Sequence, residues 1–393
     1  MILVVLGAGA SRGAKFVEDS KLPWQPPLNT DFFTQIQRIF DYKFKKDINS
    51  TIKYIYEIFG NNFNLSMEEL FTQIEFMRKA FRFIKTESGA KLDMLNKIDE
   101  LKSHLLQSIF AIMEKSIHDS FKDGNFCEYH KNIVNALSIN DAIISFNYDC
   151  LIDLTLKQFG GYNWNPDYGY AFPSRNYRRL GFDDWKSSHS HTRPQLKDNT
   201  IKLLKPHGSI NWHITSPTYY KDGQRRSLGN IKLRKRLWEQ HGKAQFTIIP
   251  PEWNKDIASE GSIFNRIWTE SAKMIKKSKT LIFIGFSFTP TDLHAASLFQ
   301  IAANNIDRLI IVNPDKEARH RTRKILSKGI TNKTRIIQFD KLSDFASSLE
   351  RIRSCIESRE EREESVSFEK GYNVKLSQIP PPQHAQQEQK KAS

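Results

Sequence analysis

Short apolar runs, several without alternation and bounded by turn residues, constrain this chain more than any other feature. They fall at residues 2–6, 142–146, 201–204, 246–249, 281–286, 309–312 and 335–339. A strand with one solvated face alternates apolar and polar side chains. A run that does not alternate suits a strand buried on both faces of a parallel sheet covered by helices. The expected fold is therefore α/β, a Rossmann-like doubly wound parallel sheet. A helix-like segment at 316–326 and an amphipathic one at 342–357 complete it.

Between the first two runs the pattern changes. From about 31 to 140, apolar residues recur at helical spacing, as in Ile36, Ile39 and Phe40, then Leu70, Phe71 and Ile74, then Leu101, Leu105, Ile109 and Ile112. This predicts a large inserted helical lobe. A second insertion, about 160–199, is rich in Tyr, Trp, Pro, Arg and His without steady periodicity and predicts a long loop near the strand ends. The catalytic domain is thus expected over 1–357. The remaining 358–393, charged and then Pro- and Gln-rich, has too few apolar residues to pack and is expected to be disordered.

Composition removes several classes. No apolar run reaches the roughly 18 to 20 residues that a membrane helix needs. The stretch 1–6 lacks a basic flank and leads straight into a glycine turn, so a buried strand is expected there and not a signal peptide. The three cysteines, Cys127, Cys150 and Cys355, form no CxxC pair, which leaves no four-cysteine zinc site or disulfide framework and fits a reducing cytoplasm. A formal charge of +15 would attract polyanions, with basic clusters at 175–179, 221–226 and 232–236. Direct nucleic-acid binding is the lesser reading of that charge. A solvated basic surface that also draws in an anionic dinucleotide is the greater.

Polar motifs follow the apolar runs. Gly7, Ala8, Gly9, Ala10 and Ser11 make a turn where main-chain amides can approach a pyrophosphate and Ser11 adds a hydroxyl, or else a tight strand-to-helix turn with no ligand. The third glycine is Gly13, off the GxGxxG spacing of an ordinary dehydrogenase. In Ser145-Phe146-Asn147-Tyr148-Asp149, Asn147 and Asp149 can meet a ribose or an amide, or cap the following helix. In Lys205-Pro206-His207-Gly208-Ser209, His207 is either a general base or a structural imidazole. Gly285 and Ser287 lie on a turn where an anion could sit, with Thr289 as N-cap and Pro290 at the first helical position. Asn313 ends a strand at the same edge, where it holds a ribose or begins a turn.

In this order GAGAS, SFNYD, KPHGS, IGFS and IVNPD resemble the NAD-binding core of the sirtuin family. The resemblance implies that Gly7, Ala8, Gly9 and Ser11 contact the NAD phosphates. It makes Asn147 and Asp149 the nicotinamide-ribose pocket and His207 the catalytic base, with Asn147 orienting the ribose and the attacking water. Sirtuin deacylases carry a zinc ribbon with two CxxC pairs, which this sequence lacks, so no metal and no zinc are expected. With its helical insertion, the chain is similar to the sirtuin-like domains of bacterial antiphage defence systems. That likeness implies an NAD+ hydrolase (NADase), NAD being its substrate. It also implies a cytoplasmic homo-oligomer with a separately encoded partner, such as a HerA-family ATPase or an Argonaute-like protein. Alternatives are an ADP-ribosyltransferase, a deacylase of sirtuin type, or a non-catalytic subunit that senses NAD or ADP-ribose.

Overall fold

The computed structural model describes residues 1–19, 23–39, 42–81, 83, 88–121, 126–165, 169–170, 199–214, 231–233, 247–249, 263–290 and 292–357. The expected tail at 358–393, most of the loop insertion at 160–199 and most of the three basic clusters lie outside these.

Ten strands are described: β1 (Ile2–Leu6), β2 (Ala142–Ser145), β3 (Lys202–Leu204), β4 (Gly208–Ser209), β5 (Trp212–Ile214), β6 (Ile231–Leu233), β7 (Thr247–Ile248), β8 (Thr280–Ile284), β9 (Ile306–Val312) and β10 (Ile330–Phe339). Six of them form one sheet in the order β10-β9-β8-β1-β2-β3. Every pairing in it is parallel. The residues of β1, β2 and β8 are all buried, the property that their unalternating sequence demanded. The chain builds outward from β1 through β2 to β3, then crosses back to β8 on the other side. The topological switch point therefore lies between β1 and β8, the crevice where open α/β sheets bind ligands.

The run at 246–249 departs from expectation. Its strand, β7, pairs antiparallel with β4 in a separate two-stranded sheet, and β5 pairs with β6 in another. At two residues β7 is too short to cross the main sheet. Its backbone instead serves the His207 turn, through Ile249 N–H donating to His207 O at 2.8 Å.

Around the sheet run α1 (Ala8–Arg12), α2 (Lys15–Asp19), α3 (Phe32–Gln37), α4 (Tyr42–Phe59), α5 (Met67–Ala80), α6 (Ser88–Phe121), α7 (Glu128–Asn135), α8 (Leu151–Phe159), α9 (Ile263–Lys277), α10 (Leu293–Ala302), α11 (Lys316–Ile325) and α12 (Leu342–Glu357). Helices α3 to α6 build a second apolar core from Phe32, Ile36, Leu70, Phe71, Leu105 and Ile109 among others. Tyr148, Cys150 and Ile210 join that core, so the helical lobe packs directly on the two polar motifs beside β2 and β3. Helix α7, inside the stretch read as insertion, packs its Ile133 and Val134 on the core of the sheet instead. The sequence reading did not identify α9, which closes one side of the site through Trp268.

A buried pair beside α7 gives a stability prediction. His130 is fully enclosed, its Nδ1 lies 3.1 Å from Cys127 Sγ, and burial pushes its pKa down to about 4. Burial also pushes the Cys127 thiol up, against the weaker pull of nearby main-chain amides, so the pair is not an activated thiolate. Between about pH 6.5 and 4 the unfolded chain takes up a proton at His130 that the folded chain refuses, so folding stability must fall with pH across that window. Urea denaturation at pH 7.5 and 5 should show a loss of about 2 kcal/mol from this residue, absent in His130→Gln. An identical loss in the variant would assign the effect elsewhere.

Candidate active site

The glycines of the first turn meet the turn after β8. Gly7 N–H donates to Ile284 O and Gly9 N–H to Gly285 O, each at 3.0 Å. A Cβ on Gly7 would lie 2.5 Å from Gly285 O, and one on Gly9 2.7 Å from Gly285 Cα. These glycines are thus required by backbone-on-backbone packing at the switch point. Both amides are engaged in that packing.

Beside this contact runs a chain of buried polar groups. Asn147 Nδ2 donates to Gly7 O at 2.9 Å and to Ser11 Oγ at 3.1 Å. Ser11 Oγ donates to Asp149 Oδ2 at 2.6 Å, and Leu151 N–H donates to Asp149 Oδ1 at 3.0 Å. Both carboxylate oxygens of Asp149 are therefore taken by donors within the chain, one of them at the start of α8. Burial pushes the Asp149 carboxyl up from the ordinary aspartate range, opposed by Lys205, Ser11 and the Leu151 amide. The side-chain donors of Asn147 are both used, while its carbonyl Oδ1 has no acceptor role among the described residues.

Behind Asp149 sits Lys205, wholly buried. Its Nζ donates to Asp149 O at 2.5 Å, to Ser209 Oγ at 2.6 Å and to Asp153 Oδ2 at 2.9 Å. Asp153 Oδ1 also accepts from the Tyr170 hydroxyl. Burial works against the charge of Lys205, but the carboxyl groups, Asp153 foremost, outweigh it and hold its pKa above the usual lysine value. Burial pushes the Cys150 thiol well up, so Cys150 is no nucleophile. The signal for Lys205 in the sequence was a lysine placed directly after an apolar strand, where long cations are seldom buried without a partner.

His207 stands on the adjacent strand end. Ile144 and Leu204 are register partners, and Asn147 and His207 each lie the same three residues beyond them. The imidazole packs edge-on to Phe146, with centroids 5.0 Å apart, and near Tyr148 and Trp268 at 6.3 Å. Its Nε2 lies 3.5 Å from Asp292 Oδ1, with both side chains nearly buried. Sequence reasoning gave Asp292 no role. It precedes α10, 85 residues beyond His207, and nothing local in the sequence links the two.

At the far side, Asn313 Nδ2 donates to Phe286 O and Ser287 Oγ at 3.4 Å, and its Oδ1 accepts from Asp315 N–H at 3.0 Å. Asn313 and Ser287 are thus brought together, joined by Arg321 Nε donating to Ser287 O. Thr289 is not the N-cap that its sequence position suggested. Helix α10 starts at Leu293 after a turn closed by Asp292 N–H to Thr289 O. The Thr289 hydroxyl donates instead to Glu68 Oε2 of the helical lobe at 3.0 Å, a tertiary bond that outcompetes the local cap. Phe288 holds a left-handed φ of 46°, imposed by packing among Phe283, Phe286 and Phe299.

Gly7, Ser11, Asn147, Asp149, His207, Gly285, Ser287 and Asn313 thus share the carboxyl edge of one parallel sheet. Among the described residues, no group of three or more His, Cys, Asp or Glu side chains is placed to hold a metal ion, and no helix is long and apolar enough to cross a membrane. Comparison with curated proteins gives no match. Residues 141–332 match the family model of the SIR2-like domain, a stretch that holds SFNYD, KPHGS, IGFS and IVNPD but not the GAGAS turn. The matched stretch is thus similar to a SIR2-like domain, and β1 and most of β10 complete its six-stranded sheet from outside it.

Proposed function

We propose that this chain is an NAD+ glycohydrolase, which cleaves the bond between nicotinamide and C1′ of its ribose and transfers the ribosyl carbon to water. The observation that carries this reading is the pairing of Asn147, with its unspent carbonyl oxygen, and His207 at equivalent positions of neighbouring strand ends. Nicotinamide departs as a neutral molecule. Catalysis then depends on holding the ribose, tolerating positive charge at C1′ and placing a nucleophile, which are tasks of position and electrostatics.

Asn147 Oδ1 accepts a hydrogen bond from a ribose hydroxyl or from the attacking water. His207 receives the proton that the water gives up, directly or through a ribose hydroxyl. The resulting imidazolium is stabilised by Asp292, 3.5 Å from its Nε2. The aromatic collar of Phe146 and Trp268 keeps bulk water from that ring. The products are nicotinamide, ADP-ribose and one proton. Resemblance to defence-system domains supports NAD+ depletion as the biological output, in a homo-oligomer controlled by a separately encoded partner.

The test is nicotinamide release from NAD+ by the purified chain, followed chromatographically with and without the product of the neighbouring gene. Free ADP-ribose should accumulate in step with nicotinamide. No release in any combination would overturn the reading, and label retained on a macromolecule would make the acceptor something other than water.

A further inference from the structure

Lys205 is wholly buried, and it joins both motifs that carry the proposed chemistry. Its three ammonium donors meet three acceptors: the main chain of Asp149, the carboxylate of Asp153 on α8 and the hydroxyl of Ser209. Ser209 Oγ in turn lies 3.3 Å from Tyr148 O, and Gly208 N–H closes on Lys205 O at 2.9 Å. The segment 205–209 is therefore fastened at both ends to one centre, with His207 at its middle. The other arm runs outward through side chains. Ser11 Oγ donates its single proton to Asp149 Oδ2, and is left to accept from Asn147 Nδ2. Gly7 O takes the second amide proton, and the Asn147 carbonyl is left facing away from both.

We propose that Lys205 is a positioning residue of this site: its ammonium holds the Asp149 main-chain carbonyl and clamps segment 205–209. In this way it sets the Asn147 amide with Oδ1 presented as an acceptor and sets the ring of His207 on a fixed turn. The group received by Asn147 is then a hydrogen-bond donor, a ribose hydroxyl or water, and not a carbonyl or phosphate oxygen. This inference rests on the NADase reading for its substrate but not for its geometry.

Removing the lysine alone would leave Asp153 and Asp149 uncompensated in the interior and could unfold the chain. The decisive protein is the double variant Lys205→Met/Asp153→Asn, which removes both charges at nearly constant volume and keeps an acceptor for Tyr170. Its melting temperature should fall less than that of Lys205→Met alone, because no unpaired Asp153 charge is left behind. Its kcat should fall about tenfold or more with KM little changed, because an interaction that orients reacting groups is lost while ground-state binding is kept. A second readout needs no substrate. With asparagine-selective labelling, the Asn147 side-chain amide protons should exchange slowly in the wild type and fast in the double variant. Slow exchange in both proteins, or an unchanged kcat in a folded double variant, overturns the proposal. A wild type that releases no nicotinamide defeats the NADase reading alone, and the amide exchange then decides the role of Lys205.

Discussion

His207→Ala should lower nicotinamide release by about 10² to 10⁴, the usual worth of a positioned general base, while NAD+ still binds. The ring lies within an aromatic collar and its Nε2 faces Asp292, so its loss removes the proposed proton acceptor. Asn147→Ala should have a comparable effect on kcat, for a different reason. It deletes the side-chain carbonyl proposed to accept from the ribose or the water and also leaves Gly7 O and Ser11 Oγ without the amide that donates to them. Its melting temperature should therefore drop as well. Single-turnover assays with enzyme in excess over NAD+, together with calorimetric binding, separate the two terms. Wild-type turnover in either variant removes that residue from the mechanism.

The second large effect is on folding. Gly285 has φ +58°, and a Cβ there would lie 2.2 Å from Ala10 N and 2.3 Å from Gly9 C. Neither the φ nor the contact can relax cheaply, because the atoms in the way are backbone held by the Gly9 N–H to Gly285 O hydrogen bond. Gly285→Ala should cost about 4 kcal/mol or more, in the range reserved for severe lesions. Gly13→Ala is the control. Its φ is ordinary at −87° and its Cβ would come no closer than 3.2 Å to Gly9 O, so it should cost far less. Denaturant midpoints of the two variants check the order. Equal stabilities would mean that the β1 and β8 turns are not packed as tightly as this.

A large part of the fold was legible before any coordinates. The unalternating runs at 2–6, 142–146 and 281–286 became central strands because burial on both faces leaves its mark in every residue of a strand. Ile36, Leu70, Ile74, Leu105 and Ile109, spaced as helix faces, all lie in the core of the helical lobe. The run at 246–249 misled because apolar content alone does not say which sheet a short strand joins, and β7 answers to the His207 turn. Thr289 misled because a hydroxyl capable of capping a helix is equally capable of reaching Glu68. Arg12 shows the same limit: its guanidinium binds Pro26 O and Asp31 where the lobe begins, a tie no turn motif announces.

By itself the sequence determined the sheet, the helical lobe and the edge at which the polar motifs gather. Each of these follows from periodicity within a few residues and from what burial permits. Only the tertiary structure decided which polar atoms are spent and which are left. Ser11 meets Asp149 across 138 positions, Lys205 meets it across 56, and Asn147 meets Gly7 across 140. Hydrogen-bond partners so distant are chosen by packing and by the need to satisfy every buried donor and acceptor, a condition on the whole fold that no local stretch of sequence contains.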